Sequence, residues 1–80
     1  MKEAEIRLCT LLADILKIKA ESINEQTSPD NTETWDSFNG LMIAAELEKV
    51  FKVTFSMEEI ISTKDVGDIK TNLRNHTIDI

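Results

Sequence analysis

The sequence predicts an all-α fold: a small four-helix bundle with three main helices, one short helix and a long loop between helices one and two. Three observations carry that expectation. Apolar residues recur at three- and four-residue spacing along three separate stretches. Two glycines and one proline are poor material for a many-turned β-sandwich. A Ser-x-x-Glu signature, Ser56 to Glu59, opens the short helix. A chain of 80 residues makes one domain, 1–80, with one modest core and no room for a deep catalytic cavity.

Helix one is expected over residues 3–17. Ala4, Leu8, Leu11, Leu12, Ile15 and Leu16 share one face, while Glu5, Arg7, Thr10, Asp14 and Lys17 fall off it. Cys9 sits at the margin as a small packing residue. The polar stretch that follows, with a turn at Pro29-Asp30-Asn31, is read as an ordered loop that Ile18 and Ile23 pin to the core. Helix two should run from Ser37 to Phe51 behind an Asp36 N-cap. Its core face holds Gly40, Ile43, Ala44, Leu47, Val50 and Phe51; its outer face holds Phe38, Met42, Ala45, Glu46 and Lys49, with Leu41 and Glu48 at the edge. An extended link, Lys52 to Phe55, leads into helix three, capped by Ser56 and ending near Ser62. Val66, Ile69 and Leu73 mark helix four over 65–75, and residues 76–80 read as a tail in which His76 has no role.

The formal net charge of -6 argues against nucleic acid and against an anionic membrane surface. It favours a basic protein partner. Residues 30–60 carry seven acidic and two basic side chains, so nearly all the excess lies there. Cys9 is the only cysteine and His76 the only histidine, which leaves no disulfide and no metal cluster. No stretch is long enough to span a membrane, and the charged opening MKEAEIR is unlike a signal peptide. The expected compartment is the cytoplasm, and the expected state a monomer.

The stretch Thr34–Leu41, TWDSFNGL, raises the question of what Ser37 does. A nucleophilic serine needs a base within hydrogen-bond reach. Asp36 is adjacent in sequence and points elsewhere on a helix. There is no G-x-S-x-G elbow, and His76 is remote in sequence. No catalytic residue is assigned. An exposed hydroxyl at a helix start suits modification by another enzyme, because a phosphate there meets unpaired backbone N–H groups and the positive end of the helix dipole.

The stretch TWDSFNGLMIAAELEKVFKVTFSMEEI resembles the acyl and peptidyl carrier proteins, the phosphopantetheine-binding family. Asp36-Ser37-Phe38, then Leu41, then Glu48-Lys49-Val50-Phe51 follow that family's Asp-Ser-Leu motif and its helix ending in Glu-x-x-Phe. Lys52 to Phe55, Glu58-Glu59 and Val66-Gly67-Asp68-Ile69 also fall where the family has counterparts. The resemblance covers essentially the whole chain. It implies an acyl-carrier-like bundle and a stand-alone acyl or aminoacyl carrier that does no catalysis. Ser37 would hold a 4′-phosphopantetheine arm derived from coenzyme A. The partners implied are a phosphopantetheinyl transferase, an acyl- or aminoacyl-loading ligase, and a downstream transferase or synthase with basic docking patches.

The resemblance also implies a partner-binding surface of Asp36, Phe38, Leu41, Met42, Ala45, Glu46, Glu48 and Glu58. Ile43, Leu47, Phe55 and Ile60 are the implied lining of an acyl pocket between helices two and three. Phe38 stands where the family has leucine, and Met42 where an acid is frequent. These departures, and Trp35 before the Asp-Ser pair, resemble carriers of specialised biosynthetic pathways. Trp35 itself is read as a plug holding the loop on the core. The alternative is an unmodified acidic helical interaction module, binding through Phe38, Met42 and the acidic face.

Overall fold

The computed structural model describes residues 2–80. Helix α1 spans Glu3–Leu16, α2 spans Ser37–Phe51, α3 spans Met57–Ser62 and α4 spans Val66–Asn75. The described residues contain no strand. The core is one cluster built mainly from α1, α2 and α4: Leu8, Leu11, Leu12 and Leu16 meet Ile43, Leu47, Val66, Ile69 and Leu73. Each such side chain, fully buried, contributes roughly 1.5–3 kcal/mol.

Helix α1 ends one residue before the expected boundary. Lys17 adopts the left-handed conformation, φ 58°, and its N–H donates to the Ala13 carbonyl. Lys52 does the same after α2, with φ 55° and a bond to the Glu48 carbonyl. Both helices thus close with a residue type that has no intrinsic preference for that turn.

The long loop is held down at several points. Its one regular piece is a 3-10 turn over Ala20–Ser22. Ile18 and Ile23 pack on the core. The buried Thr27 offers its carbonyl to the Val66 N–H at 3.0 Å, and Glu25 offers its own to the Gly67 N–H at 3.0 Å. These are the first amides of α4, which no helical carbonyl can reach. Asp65 caps the same end by accepting from the Asp68 N–H at 2.8 Å. Lys70 is buried, with Nζ 3.0 Å from Glu5 Oε2 and 3.7 Å from Glu25 Oε2, so one ammonium joins α1, the loop and α4. Lys70 in turn holds the Glu5 carboxyl below its ordinary range, first by that hydrogen bond and then by its charge.

Helix α3 is too short to persist alone. It is fastened from both sides. Glu48 Oε2 accepts from the Phe55 N–H at 2.8 Å. The capping box forms in full: the Ser56 N–H donates to Glu59 Oε1 at 2.8 Å, and the Glu59 N–H to Ser56 Oγ at 3.1 Å. His76 Nε2 lies 2.9 Å from Glu59 Oε2, and the His76 ring meets Phe55 edge to face at 5.3 Å. The Ser56 N–H foremost, and His76 after it, lower the Glu59 carboxyl.

Two expectations are corrected here. His76 has a structural role, pinning α3 to the end of α4. Residues 76–80 are not a free tail. Thr77 takes φ 67° and turns the chain back, so that Ile80 is buried and Ile78 packs on the core. The Ile78 N–H reaches the Leu73 carbonyl at 3.0 Å, and Arg74 Nε donates to the Ile80 carbonyl at 2.8 Å.

Lys52→Gly should raise stability by up to about 1 kcal/mol, since glycine removes the left-handed strain and gives back part of that in chain entropy. Thermal unfolding checks it, at about 4–8 °C per kcal/mol for a domain of this size. The pH dependence has a definite sign. The Glu59 pKa is lowered from 4.5 on folding, so its contribution is complete above that value and is lost as pH falls through the folded pKa. Urea titrations between about pH 5 and about pH 3 should show a steeper loss in the native chain than in Glu59→Gln.

Candidate functional site

Ser37 is the first residue of α2, and its position is fixed by what precedes it. Asp36 is the N-cap, its Oδ1 accepting from the Asn39 N–H at 2.8 Å. The Asn39 side chain reaches back, Nδ2 donating to the Thr34 carbonyl at 2.7 Å. Thr34 Oγ1 donates to the Leu16 carbonyl at 2.6 Å, which ties the segment to the end of α1. Between them Trp35 is buried in the core cluster. Ser37 itself is exposed, and among the described residues its hydroxyl has no hydrogen-bond partner. The capping is done entirely by its neighbours, so the Ser37 hydroxyl is free for chemistry at a helix N-terminus.

A cavity of about 550 Å³ opens beside Ser37. Its walls come from α2, α3, α4 and the loop. Ile43, Leu47, Phe55 and Ile60 all line it, together with Trp35, Gly40, Leu41, Ala44 and Ile69. Its polar lining includes Asp36, Ser37, Thr63 and Asn72. Thr63 and Asn72 are committed to one another: Asn72 Nδ2 donates to Thr63 Oγ1 at 2.8 Å and to the Glu59 carbonyl at 3.4 Å, and Thr63 Oγ1 donates to that carbonyl at 2.6 Å. From Ser37 to Leu47 the wall follows α2 for about 15 Å. The volume lies within the usual range of small-molecule pockets, and the mostly apolar lining fits a chain-like guest.

The outward surface of α2 carries Phe38, 69% exposed, Leu41, 64% exposed, and Met42 and Ala45, also exposed. Leu41 belongs to both surfaces, since it also forms the cavity rim. Asp36 and Glu58 are exposed acids, and Glu46 is half-buried. Glu48 lies apart from this set in function: its carboxylate holds the Phe55 N–H and is a strut of the α2–α3 link. Sequence reasoning missed two apolar residues on α3, Met57 at 69% and Ile61 at 74% exposure. They stand at i and i+4, and that spacing was the available signal. The described residues include no group of acids, histidine and cysteine able to hold a metal. Burial pushes the Cys9 thiol up, away from the reactive range.

A family model described as phosphopantetheine attachment site matches residues 7–73. No curated protein matches the chain. Among solved structures, a Mycobacterium tuberculosis protein assigned as an acyl carrier protein superposes with a TM-score of 0.80 at 22% identity, over 90% of this chain and 96% of that one. That likeness is one of fold.

Gly40 stands in the first turns of α2, facing Trp35. A Cβ there would lie 3.5 Å from Trp35 Nε1, an ordinary contact. Gly40→Ala should therefore stabilise the chain by up to about 1 kcal/mol through helix propensity, measured by urea unfolding, without disturbing the Ser37 cap.

Proposed function

Because the chain belongs to the phosphopantetheine attachment site family, whose members are non-enzymatic carriers with a covalently attached 4′-phosphopantetheine, we propose that Ser37 is the residue that bears the arm. The observation that carries this is the exposed, unpartnered hydroxyl at the first position of α2, with a cavity opening beside it. When bound, the group supplies a terminal thiol that holds an acyl or aminoacyl cargo as a thioester.

The residues present fit such a group. Asp36 takes the Asn39 N–H and leaves other first-turn amides of α2 facing the site, where they and the helix dipole stabilise a phosphodiester on Ser37 Oγ. Ile43, Leu47, Phe55 and Ile60 offer an apolar wall that excludes water from a guest chain. Phe38, Leu41 and Met42 give partner enzymes an apolar contact beside the serine, and Asp36, Glu46 and Glu58 give them acids to pair with basic patches. Those partners are a phosphopantetheinyl transferase, a loading ligase and a downstream transferase or synthase. The carrier shuttles its cargo between them. A specialised pathway is favoured because α2 presents Phe38 and Met42 outward, and one of its few carboxylates, Glu48, is committed internally.

The test is intact mass after incubation with coenzyme A and a broad-specificity phosphopantetheinyl transferase. One phosphopantetheinyl group should be gained, and none by Ser37→Ala. That variant should keep its fold by circular dichroism and its stability within about 0.5 kcal/mol, since no contact of the hydroxyl is lost. A folded native chain that gains nothing, or a gain that persists in Ser37→Ala, refutes the assignment.

A further inference from the structure

Trp35 is 7% exposed, yet its indole N–H has no hydrogen-bond partner among the described residues. Buried indoles ordinarily find an acceptor. The group is not sealed in the core. Among the described residues no fully buried side-chain nitrogen or oxygen is left without a partner, so Nε1 must reach open space. The cavity that Trp35 lines is the one beside Ser37, and Gly40 lines it too. Nε1 lies over Gly40, where a Cβ would come within 3.5 Å of it.

The other side-chain donors in the cavity wall are occupied. The Thr63 hydroxyl is spent on the Glu59 carbonyl, and the Asn72 amide on Thr63 and that same carbonyl. The Ser37 hydroxyl is the point of attachment under the reading above. Ile43, Leu47 and Ile69 offer none. Trp35 is therefore the one uncommitted side-chain donor among the described lining residues, and it lies about one helical turn from the tether.

We propose that the Trp35 indole N–H donates a hydrogen bond to an oxygen of the phosphopantetheine arm and holds the arm in this cavity, an inference that rests on Ser37 being its point of attachment. The acceptor belongs to the arm and not to the cargo because Trp35 precedes Ser37 by two residues and faces Gly40, three residues after it. What passes that point is the tethered end of the group, which carries amide carbonyls and a hydroxyl. The cargo begins beyond the terminal thiol. Trp35 is then a positioning residue as well as a plug.

The chain has one tryptophan, so its indole gives a single ¹H–¹⁵N resonance. Conversion from the unmodified to the phosphopantetheinylated protein should move that proton downfield and slow its exchange with solvent by about threefold to tenfold, the range of one neutral hydrogen bond. A second readout uses Trp35→Phe, which keeps an aromatic plug and removes the donor. Alkylation of the arm thiol should then be faster by a similar factor, while alkylation of Cys9, the only cysteine, keeps its rate. Complete modification at Ser37 with an unmoved indole resonance overturns this inference alone. Equal acceleration at both thiols in Trp35→Phe also overturns it, because that reports a loosened fold. Absence of modification overturns the carrier reading, and this inference with it.

Discussion

The geometry of the site depends on how the chain enters α2. A helix needs its first amides satisfied, and Asp36 takes the Asn39 N–H to start this one. Asn39 then grips the Thr34 carbonyl, and Thr34 grips the end of α1 through the Leu16 carbonyl. Trp35, between these bonds, is driven into the core by its size. Each contact constrains the next, and together they leave Ser37 as the residue with nothing to hold. Its availability is a consequence of its neighbours' commitments.

The rest of the domain is organised so that eighty residues can surround a cavity and still close a core. Small domains bury a limited fraction of their surface, and space given to a cavity is space lost to packing. Polar fastenings take up part of the task. Lys70 joins three segments through two carboxylates. The loop carbonyls of Glu25 and Thr27 finish the start of α4. Glu48 and His76 hold the short α3 at the linker and at the end of α4. The cavity walls are thus braced from outside and left mostly apolar within.

The helices were legible because their signals are local: apolar spacing for α1, α2 and α4, and capping residues at Asp36 and Ser56. The end of α2 at Phe51 was read as it stands, and that of α1 was missed by one residue, because Lys17 carries no residue-type signal for a left-handed turn. The last five residues were misread as a tail. Their anchorage depends on Thr77 turning the chain and on where Leu73 and Arg74 already stand, which is tertiary information. The roles of His76 and Glu48 were hidden for the same reason, since each acts on a residue well away in sequence. Ser37 and the lining Ile43, Leu47, Phe55 and Ile60 were named from a family pattern, and their shared enclosure is seen only in three dimensions. Met57 and Ile61 were passed over because α3 was read for its cap alone.

The internal use of carboxylates bears on how the chain meets other proteins. Long-range attraction responds to the whole charge of -6, whatever each carboxylate is bonded to. Close contact does not. Glu48 is occupied at Phe55, Glu59 at Ser56 and His76, and Glu5 at Lys70. Diverting any of these to a partner's lysine gives up a bond the fold already has. Diffusional capture and final docking therefore draw on different acids. A scan that ranks residues by acidity alone would select struts and caps as readily as contact residues. Part of the negative potential around the domain comes from groups whose oxygens are already in use.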